Sequence, residues 1–205
     1  MNNDIIEKFF SENEPASKTL TAPALAHFIM KTDTDSDFSH KMWESVSKTT
    51  FEEQAGREEA ALKERRRIES ITNASEIIKI LRGHTDAFNQ SLLLDKALMF
   101  EDEIVPEIIR RLKKSFNDKF IEMSGRVLAK SNKDIADELI NCFDQIRNPY
   151  AQSIVLIVLG FKVDETRAPW IIGKYNMLKK LYPKEDFRDG AYFALVEMQD
   201  RFNNS

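Results

Sequence analysis

The fold of this chain depends on how one stretch is interpreted, Asn148-Pro149-Tyr150-Ala151-Gln152-Ser153-Ile154-Val155-Leu156-Ile157-Val158-Leu159-Gly160. Six consecutive apolar residues, rich in β-branched side chains and bounded by Asn-Pro and Gly, are typical of a buried strand. The same run is compatible with a helix that is covered on nearly all sides. Because periodicity within the run cannot separate the two, the choice depends on the sequence elsewhere.

An internal repeat favours the helix. Residues 86–94 have the same order of polar and apolar positions as residues 148–156, at an offset of 62, so that Gln90 matches Gln152. In the earlier copy the apolar run continues as Leu92-Leu93-Leu94-Asp95-Lys96-Ala97-Leu98, which contains Asp and Lys among good helix formers. We therefore predict that residues 149–160 form a buried helix.

The repeat extends over most of the carboxyl-terminal two thirds of the chain. Val105-Pro106-Glu107-Ile108-Ile109 matches Ala168-Pro169-Trp170-Ile171-Ile172 at an offset of 63. Two copies follow, over roughly 73–131 and 132–202. Each copy is expected to contain four short helices, or two helical hairpins of about 30 residues, a usual size for the unit of a repeat protein. Further downstream, at an offset of 67, the matched pairs are Phe120 with Phe187 and Leu128 with Leu195.

Capping residues, prolines and glycines predict where these helices begin and end. Helix starts are predicted at Asn73 with Glu76, near Asp86, after Asn117, and near Pro106, Pro149 and Pro169, with stops at Gly83 and Gly160. The helices predicted for the second copy span 133–147, 149–160, 168–181 and 184–202.

The second copy resembles a HEAT repeat. Asn148-Pro149 stands as the polar turn that opens the first helix, Leu159-Gly160 as the pair that closes it, and Ala168-Pro169-Trp170-Ile171-Ile172 as the start of a proline-containing second helix. The resemblance covers roughly residues 73–202. It implies an all-α fold in which a short α-solenoid of stacked helical hairpins occupies residues 73–205.

The first 72 residues match no repeat unit. Short amphipathic segments near residues 4–10 and 22–31 are expected to be helical, the second with Thr21 as its cap. Residues 52–67 are charged on almost every side and are expected to form a solvated helix. We therefore predict an N-terminal helical segment over residues 1–72 that caps or extends the array.

Net charge and the length of the apolar runs limit the classes of partner that the chain can bind. The net charge of −4 indicates no global positive field that would draw the chain onto nucleic acid or an anionic membrane, although a basic patch can still exist locally. No apolar run approaches the roughly 20 residues that a membrane-spanning helix needs. The amino terminus lacks the basic start and apolar stretch of a secretory signal. We expect a cytoplasmic protein that has neither a membrane partner nor a nucleic-acid partner.

No constellation for catalysis, metal or cofactor binding stands out. The three histidines His27, His40 and His84 are widely separated, and the glycines are isolated, so that we predict no metal and no cofactor. The one cysteine, Cys142, lies in an amphipathic setting in which a thiol acts as a small core residue.

Charged clusters have a structural explanation and a functional one. Acidic residues at Glu101-Asp102-Glu103 and Asp164-Glu165 fall at equivalent places, where they would offset the dipole of a helix amino terminus. The alternative is a cation or a basic partner on a loop ridge. Basic residues at Arg110-Arg111 and Lys179-Lys180 fall near predicted helix ends, where the dipole favours them; the alternative is phosphate contact.

The leading functional hypothesis is a non-catalytic module in which inner helices form a groove for a protein or peptide. The first alternative is a nucleic-acid-acting enzyme similar to the HEAT-like DNA glycosylases, which cradle a duplex in a basic concave face; the sequence pI of about 5.6 argues against it. The second alternative is an accessory subunit that docks through its amino-terminal helices. The candidate partner-binding residues are Gln90, Arg110, Arg111, Gln152, Trp170 and Lys174.

Overall fold

The structure, a computed structural model, describes residues 2–17, 19–40 and 58–203, without the side chains of residues 2, 3, 58 and 88. This part of the chain is all-α and contains no strand. Residues 36–40 are helical, and single 3₁₀ turns occur at Phe143–Gln145 and Glu165–Arg167. The α-helices are α1 (Asn2–Glu12), α2 (Ala22–Thr34), α3 (Glu58–Glu69), α4 (Ala74–Ile80), α5 (Ala87–Leu98), α6 (Glu101–Leu112), α7 (Asp118–Lys130), α8 (Ala136–Cys142), α9 (Pro149–Lys162), α10 (Ala168–Leu181) and α11 (Asp189–Asn203).

The prediction of a buried helix is confirmed. The apolar run lies in α9, in which every residue from Ile154 to Leu159 is fully buried. Asn148 caps this helix, because its side-chain oxygen accepts a hydrogen bond from the Tyr150 amide at 2.9 Å. The cover comes from other helices, since α9 packs against α7, α11, α8 and α2.

Most other predicted starts agree with the structure. Asn73 caps α4 by accepting from the Glu76 amide at 3.0 Å, and Asn117 caps α7 by accepting from the Phe120 amide at 2.7 Å. The predicted helix over 168–181 coincides with α10. The predicted helix over 133–147 is shorter, because α8 ends at Cys142 and passes into a 3₁₀ turn. The last helix begins later than predicted, at Asp189.

The predicted start at Pro106 is wrong, because α6 begins at Glu101 and contains Pro106 in its interior. The acidic run 101–103 forms the first turn, where carboxylates oppose the positive end of the helix dipole. Proline removes the amide that would bond the Asp102 carbonyl. Because Asp102 and Pro106 are both exposed, water can solvate that carbonyl and the loss is small.

The predicted stop at Gly160 is also wrong, since α9 continues for two further residues. Gly160 is needed instead for close packing: a Cβ atom there would lie 2.7 Å from the Ala194 Cα of α11. A second glycine, Gly190 of α11, faces Ser153 of α9. A Cβ atom on Gly190 would overlap the Ser153 carbonyl oxygen. Small residues thus let the two helix backbones approach each other.

The odd-numbered helices α3, α5, α7, α9 and α11 pack against one another in chain order, and we call them the core layer. The even-numbered helices α4, α6, α8 and α10 pack against core-layer helices that adjoin them in sequence, and we call them the outer helices. The amino-terminal helices add to this arrangement. α2 packs on α7, α9 and α11, and α1 packs on α10 and α11, where the Phe9 and Tyr175 rings meet edge to face at 4.9 Å.

Neighbouring core-layer helices are parallel, which places their negative carboxyl ends side by side. From α5 onward, a basic residue in the last turn of each core-layer helix donates to the carboxyl end of the preceding core-layer helix and offsets this charge. The pairs are Lys96 with the Glu69 carbonyl oxygen (3.0 Å), Lys130 with the Asp95 carboxylate (3.0 Å), Lys162 with the Ser131 carbonyl oxygen, and Arg201 with the carbonyl oxygens of Phe161 (3.2 Å) and Val163.

Replacement of Gly160 by alanine is expected to destabilise the protein, although alanine favours a helix by about 1 kcal/mol over glycine. The methyl group would meet the Ala194 backbone, and such overpacking costs about 1–3 kcal/mol. Gly173→Ala in α10 is the matched control, because nothing lies within 4 Å of a Cβ atom there, and it should be stabilising. Urea denaturation measures the change in the free energy of unfolding for each variant. Equal changes in the two variants would contradict the close α9–α11 contact.

Candidate functional site

Helix α2 is held on the core layer by a row of polar contacts. Each contact joins a residue of α2, or its cap, to α7 or α11. The pairs are Thr21 with Asp189 (3.2 Å), His27 with Glu197 (3.1 Å), Lys31 with Glu197 (3.3 Å) and Asp200 (2.5 Å), and Asp33 with Arg126 (2.7 Å). Since α2 covers α7, α9 and α11, a partner has access to this face only at the margins of the helix.

Asp189 ties the segment before α2 to the start of α11. Its carboxylate is fully buried and accepts hydrogen bonds from the Ala16 amide at 2.7 Å and the Thr21 hydroxyl at 3.2 Å. Burial raises the pKa of Asp189, and these two hydrogen bonds together with the Arg188 charge offset the rise only in part. The buried charge therefore reduces stability while it positions Ala16 and Thr21.

A cavity of about 280 Å³ lies at the margin of α2, where this helix meets α7 and the α4–α5 turn. Its apolar wall consists of Leu25, Ile29 and Met30 from α2 and Met123 from α7. Leu25 is 44% exposed and extends this apolar surface toward solvent. The arrangement can accept an apolar group from outside the chain.

The opposite wall of the cavity is polar and rigid. The Arg126 guanidinium, which is almost completely buried, donates to both Asp33 carboxylate oxygens at 2.7 and 2.9 Å. It also donates to the Gln90 side-chain oxygen at 2.6 Å, and the Gln90 amide donates to the Thr85 carbonyl oxygen at 3.3 Å. These contacts fix the orientation of Gln90, so that the wall presents a constant pattern to a bound group.

Tyr150, at the start of α9, completes the lining. Its hydroxyl donates to Glu122 at 2.9 Å. Burial raises the pKa of Tyr150, and the nearby carboxylates of Glu122, Asp118 and Asp186 raise it further. The phenol therefore stays protonated near neutral pH and acts as a hydrogen-bond donor instead of a base.

The two matched glutamines have similar surroundings. Gln152 donates to the Ile146 carbonyl oxygen at 2.9 Å, as Gln90 donates to the Thr85 carbonyl oxygen. Each side chain thus bonds the turn that precedes its own helix. Of the two, Gln90 lines the cavity.

The other candidate residues belong to separate groups on the outer helices. Arg110 and Arg111 both bind Glu107 within α6, at 2.7 and 2.5 Å. The hydrogen bond from Arg110, opposed in part by burial and reinforced by Arg111, lowers the pKa of Glu107 to about 2. These two arginines are therefore paired locally.

Trp170 and Lys174 of α10 do lie together. The Lys174 ammonium is 4.9 Å from the centre of the Phe143 ring, 5.2 Å from that of Trp170, and 2.6 Å from Asp144. Trp170 meets Phe143 edge to face. These contacts fasten α10 to the end of α8, so that both residues serve at least a packing role.

Sequence reasoning missed most of the cavity. Arg126 lies between Gly125 and Val127 on the buried side of α7, where a cation inside an apolar pattern is a signal for a buried ion pair. Met30 and Met123 carry no local signal, because their proximity follows from the packing of α2 on α7. The expectation for Cys142 is confirmed: the thiol is buried, and burial raises its pKa.

Within the described residues, no cluster of three or more His, Cys, Asp or Glu side chains is arranged to hold a metal ion. None of the helices described is long and apolar enough to cross a bilayer. Comparisons with protein-family models, curated proteins and solved structures find no match.

Removal of Asp33 is expected to destabilise the protein strongly, because Asp33→Ala leaves the Arg126 charge buried without its partner. Loss of one member of a buried ion pair costs about 3–5 kcal/mol. The double variant Asp33→Ala/Arg126→Met, which removes both charges, should be more stable than the single variant. Chemical denaturation of the native protein, of both single variants and of the double variant tests this, and additive losses would show that the pair is not coupled.

A pH-dependent prediction concerns Asp189. Since the folded-state pKa is raised, ionisation reduces stability at neutral pH, and this loss disappears as the pH falls below the unfolded-state pKa. Asp189→Asn cannot ionise, so its stability relative to the native protein should be greatest at neutral pH and decline with acidification. Urea midpoints across the acid range measure the difference; a gap that widens on acidification would contradict the assignment.

Proposed function

We propose that this chain is a non-catalytic, HEAT-like helical-repeat module that binds a protein partner, and that the cavity between α2 and α7 takes an apolar side chain of that partner. The observation that carries the proposal is the cavity itself, with an apolar wall facing a rigid polar wall. Such a combination favours an apolar anchor and orients the polar groups beside it.

The size and composition of the cavity favour a side chain over a cofactor. Its volume of about 280 Å³ lies just below the usual range for ligand pockets. Met30 and Met123, both buried, line the cavity with flexible, polarisable side chains that suit an apolar residue of varied shape. Leu25 and Phe28, 44% and 38% exposed, continue the apolar surface along α2 and would contact residues next to the anchor.

The repeat assignment is supported by corresponding helix bounds. α4 and α8 span Ala74–Ile80 and Ala136–Cys142, an offset of 62 at both ends. α5 and α9 begin at Ala87 and Pro149, again 62 residues apart. Together with the parallel packing of the core layer, these bounds support a short α-solenoid over residues 73–205, with residues 1–72 as the added N-terminal segment.

The two alternatives receive less support. A duplex-cradling enzyme needs an open basic face, whereas α2 covers α7, α9 and α11 and contributes acidic as well as basic contacts there. An accessory subunit that docks through its amino-terminal helices would have to use surfaces of α1 and α2 that do not already hold the core layer. A cytoplasmic location stays a prediction.

The test begins with selection of random-sequence peptides on the immobilised full chain. Peptides that bind should share one large apolar residue. Ala22, which is exposed and lines the cavity, is then changed to leucine so that the added side chain fills the space. The affinity of the selected peptide should fall about tenfold or more, as expected when an anchor residue loses its pocket.

Ala60→Leu makes the same change on the exposed surface of α3 and should leave the affinity unchanged. Selected peptides without a common apolar residue would contradict the proposal. So would an affinity that Ala22→Leu and Ala60→Leu reduce equally.

A further inference from the structure

One edge of the molecule carries the turns that connect each outer helix to the following core-layer helix. We call it the turn edge. Direct contacts join neighbouring turns: the Asn117 side chain donates to the Arg82 carbonyl oxygen at 3.2 Å, and the Arg147 amide donates to the Lys113 carbonyl oxygen at 3.2 Å. The segment that precedes α2 reaches the same edge, because Thr21 binds Asp189 at the start of α11.

The turn edge is basic in an acidic chain. The turns and the helix ends beside them, residues 79–86, 113–119, 143–148 and 179–188, contain ten basic and five acidic residues, a net charge of +5, whereas the whole chain carries −4. One of the acids, Asp144, is bound to Lys174 of α10. Several of the cations make no ion pair with any described residue; these are Arg82, Lys113, Lys114, Arg147, Lys180 and Lys184.

Exposed apolar side chains project from the same edge. Among the described residues, the four most exposed large apolar side chains are Leu20 (72%), Met99 (73%), Phe116 (70%) and Leu181 (60%), and all except Met99 lie at the turn edge. Phe116 closely follows Lys113-Lys114, and Leu181 directly follows Lys179-Lys180. The helix dipole explains lysines at the ends of α6 and α10 but gives no reason for apolar residues beside them.

We propose that the turn edge docks on an anionic membrane surface, with Phe116 and Leu181 entering the headgroup region and the adjacent lysines contacting negatively charged lipid headgroups. The cavity shares the α4–α5 turn and Lys119 with this edge, but Phe116, Leu181 and the lysines next to them do not line it. The inference therefore does not rest on the proposed function. Apolar tips flanked by lysines match the two contributions that hold a protein at a bilayer surface, which are burial of apolar area and attraction to anionic lipid.

A membrane accounts for these residues better than nucleic acid does. Single-stranded nucleic acid binds through aromatic rings on which bases stack. Of the three most exposed apolar side chains at this edge, Phe116 alone is aromatic, and Leu20 and Leu181 offer no such platform. Lysine is a compact, flexible charge without the fixed fork of arginine, which suits contact with mobile headgroups. Exposed apolar side chains along one edge also suit insertion into a bilayer surface, because a bilayer need not provide a pre-formed pocket for each of them.

The test uses co-sedimentation of the full chain with phosphatidylcholine vesicles, with and without phosphatidylserine. We expect binding to the phosphatidylserine vesicles alone, and loss of binding as salt screens the charges. Lys113→Glu/Lys114→Glu should lower the partition coefficient about tenfold or more. Arg66→Glu/Arg67→Glu, an equal charge change on exposed residues of α3, is the control and should retain at least most of the binding.

A second pair of variants tests the contribution of the exposed apolar side chains to vesicle binding. Phe116→Ser/Leu181→Ser should reduce binding to phosphatidylserine vesicles several-fold, whereas Met99→Ser, at an equally exposed position in the α5–α6 turn, should not. Urea denaturation verifies that each variant remains folded. Equal binding to both vesicle types, or no effect of the lysine and apolar variants, would overturn the proposal. Binding of single-stranded DNA without binding to vesicles would assign the edge to nucleic acid instead.

Discussion

The whole structure depends on complete enclosure of α9. Its apolar run has no polar side, so a helix at this place is stable only if other helices cover every face. α7 and α11 flank it within the core layer, while α8 and α2 contact it from outside. Close approach to α11 requires small residues, which explains why Gly160 and Gly190 face Ala194 and Ser153. The hydrophobic effect thus determines the position of four other helices around one segment.

Parallel packing brings the negative carboxyl ends of the core-layer helices together, and basic side chains compensate this charge in the same way at each step along the layer. The aligned carboxyl ends of the core layer would repel one another, and a lysine or arginine in the last turn offsets the negative end of the neighbouring helix. Burial lowers the pKa of Lys162 and of Arg201, so these cations lose part of their hydration to reach the carbonyl oxygens. At the opposite edge, the ends of the outer helices collect lysines beside exposed apolar residues.

Helix α2 links the architecture to the proposed function. It covers a face of the core layer with buried ion pairs, and it forms the apolar wall of the cavity at its own margin. Gly125 permits its close approach, because a Cβ atom there would overlap the Met30 side chain. The resulting cavity combines a fixed polar wall around Arg126 with adaptable methionines. A partner that inserts an apolar side chain would therefore meet one rigid wall and one adjustable wall.

The sequence by itself determined the all-α fold and most helix starts, because these depend on local capping and on the composition of short segments. Asn73, Asn117 and Asn148 act as caps wherever they stand in the fold. Only the tertiary structure decided the role of Gly160, which local rules assign to a helix end and which packing against Ala194 places inside a helix. The cavity likewise could not be predicted from the sequence, because the docking of α2 brings Met30, Met123 and Gln90 together. Contacts between residues distant in sequence depend on shape and burial, which no local pattern encodes.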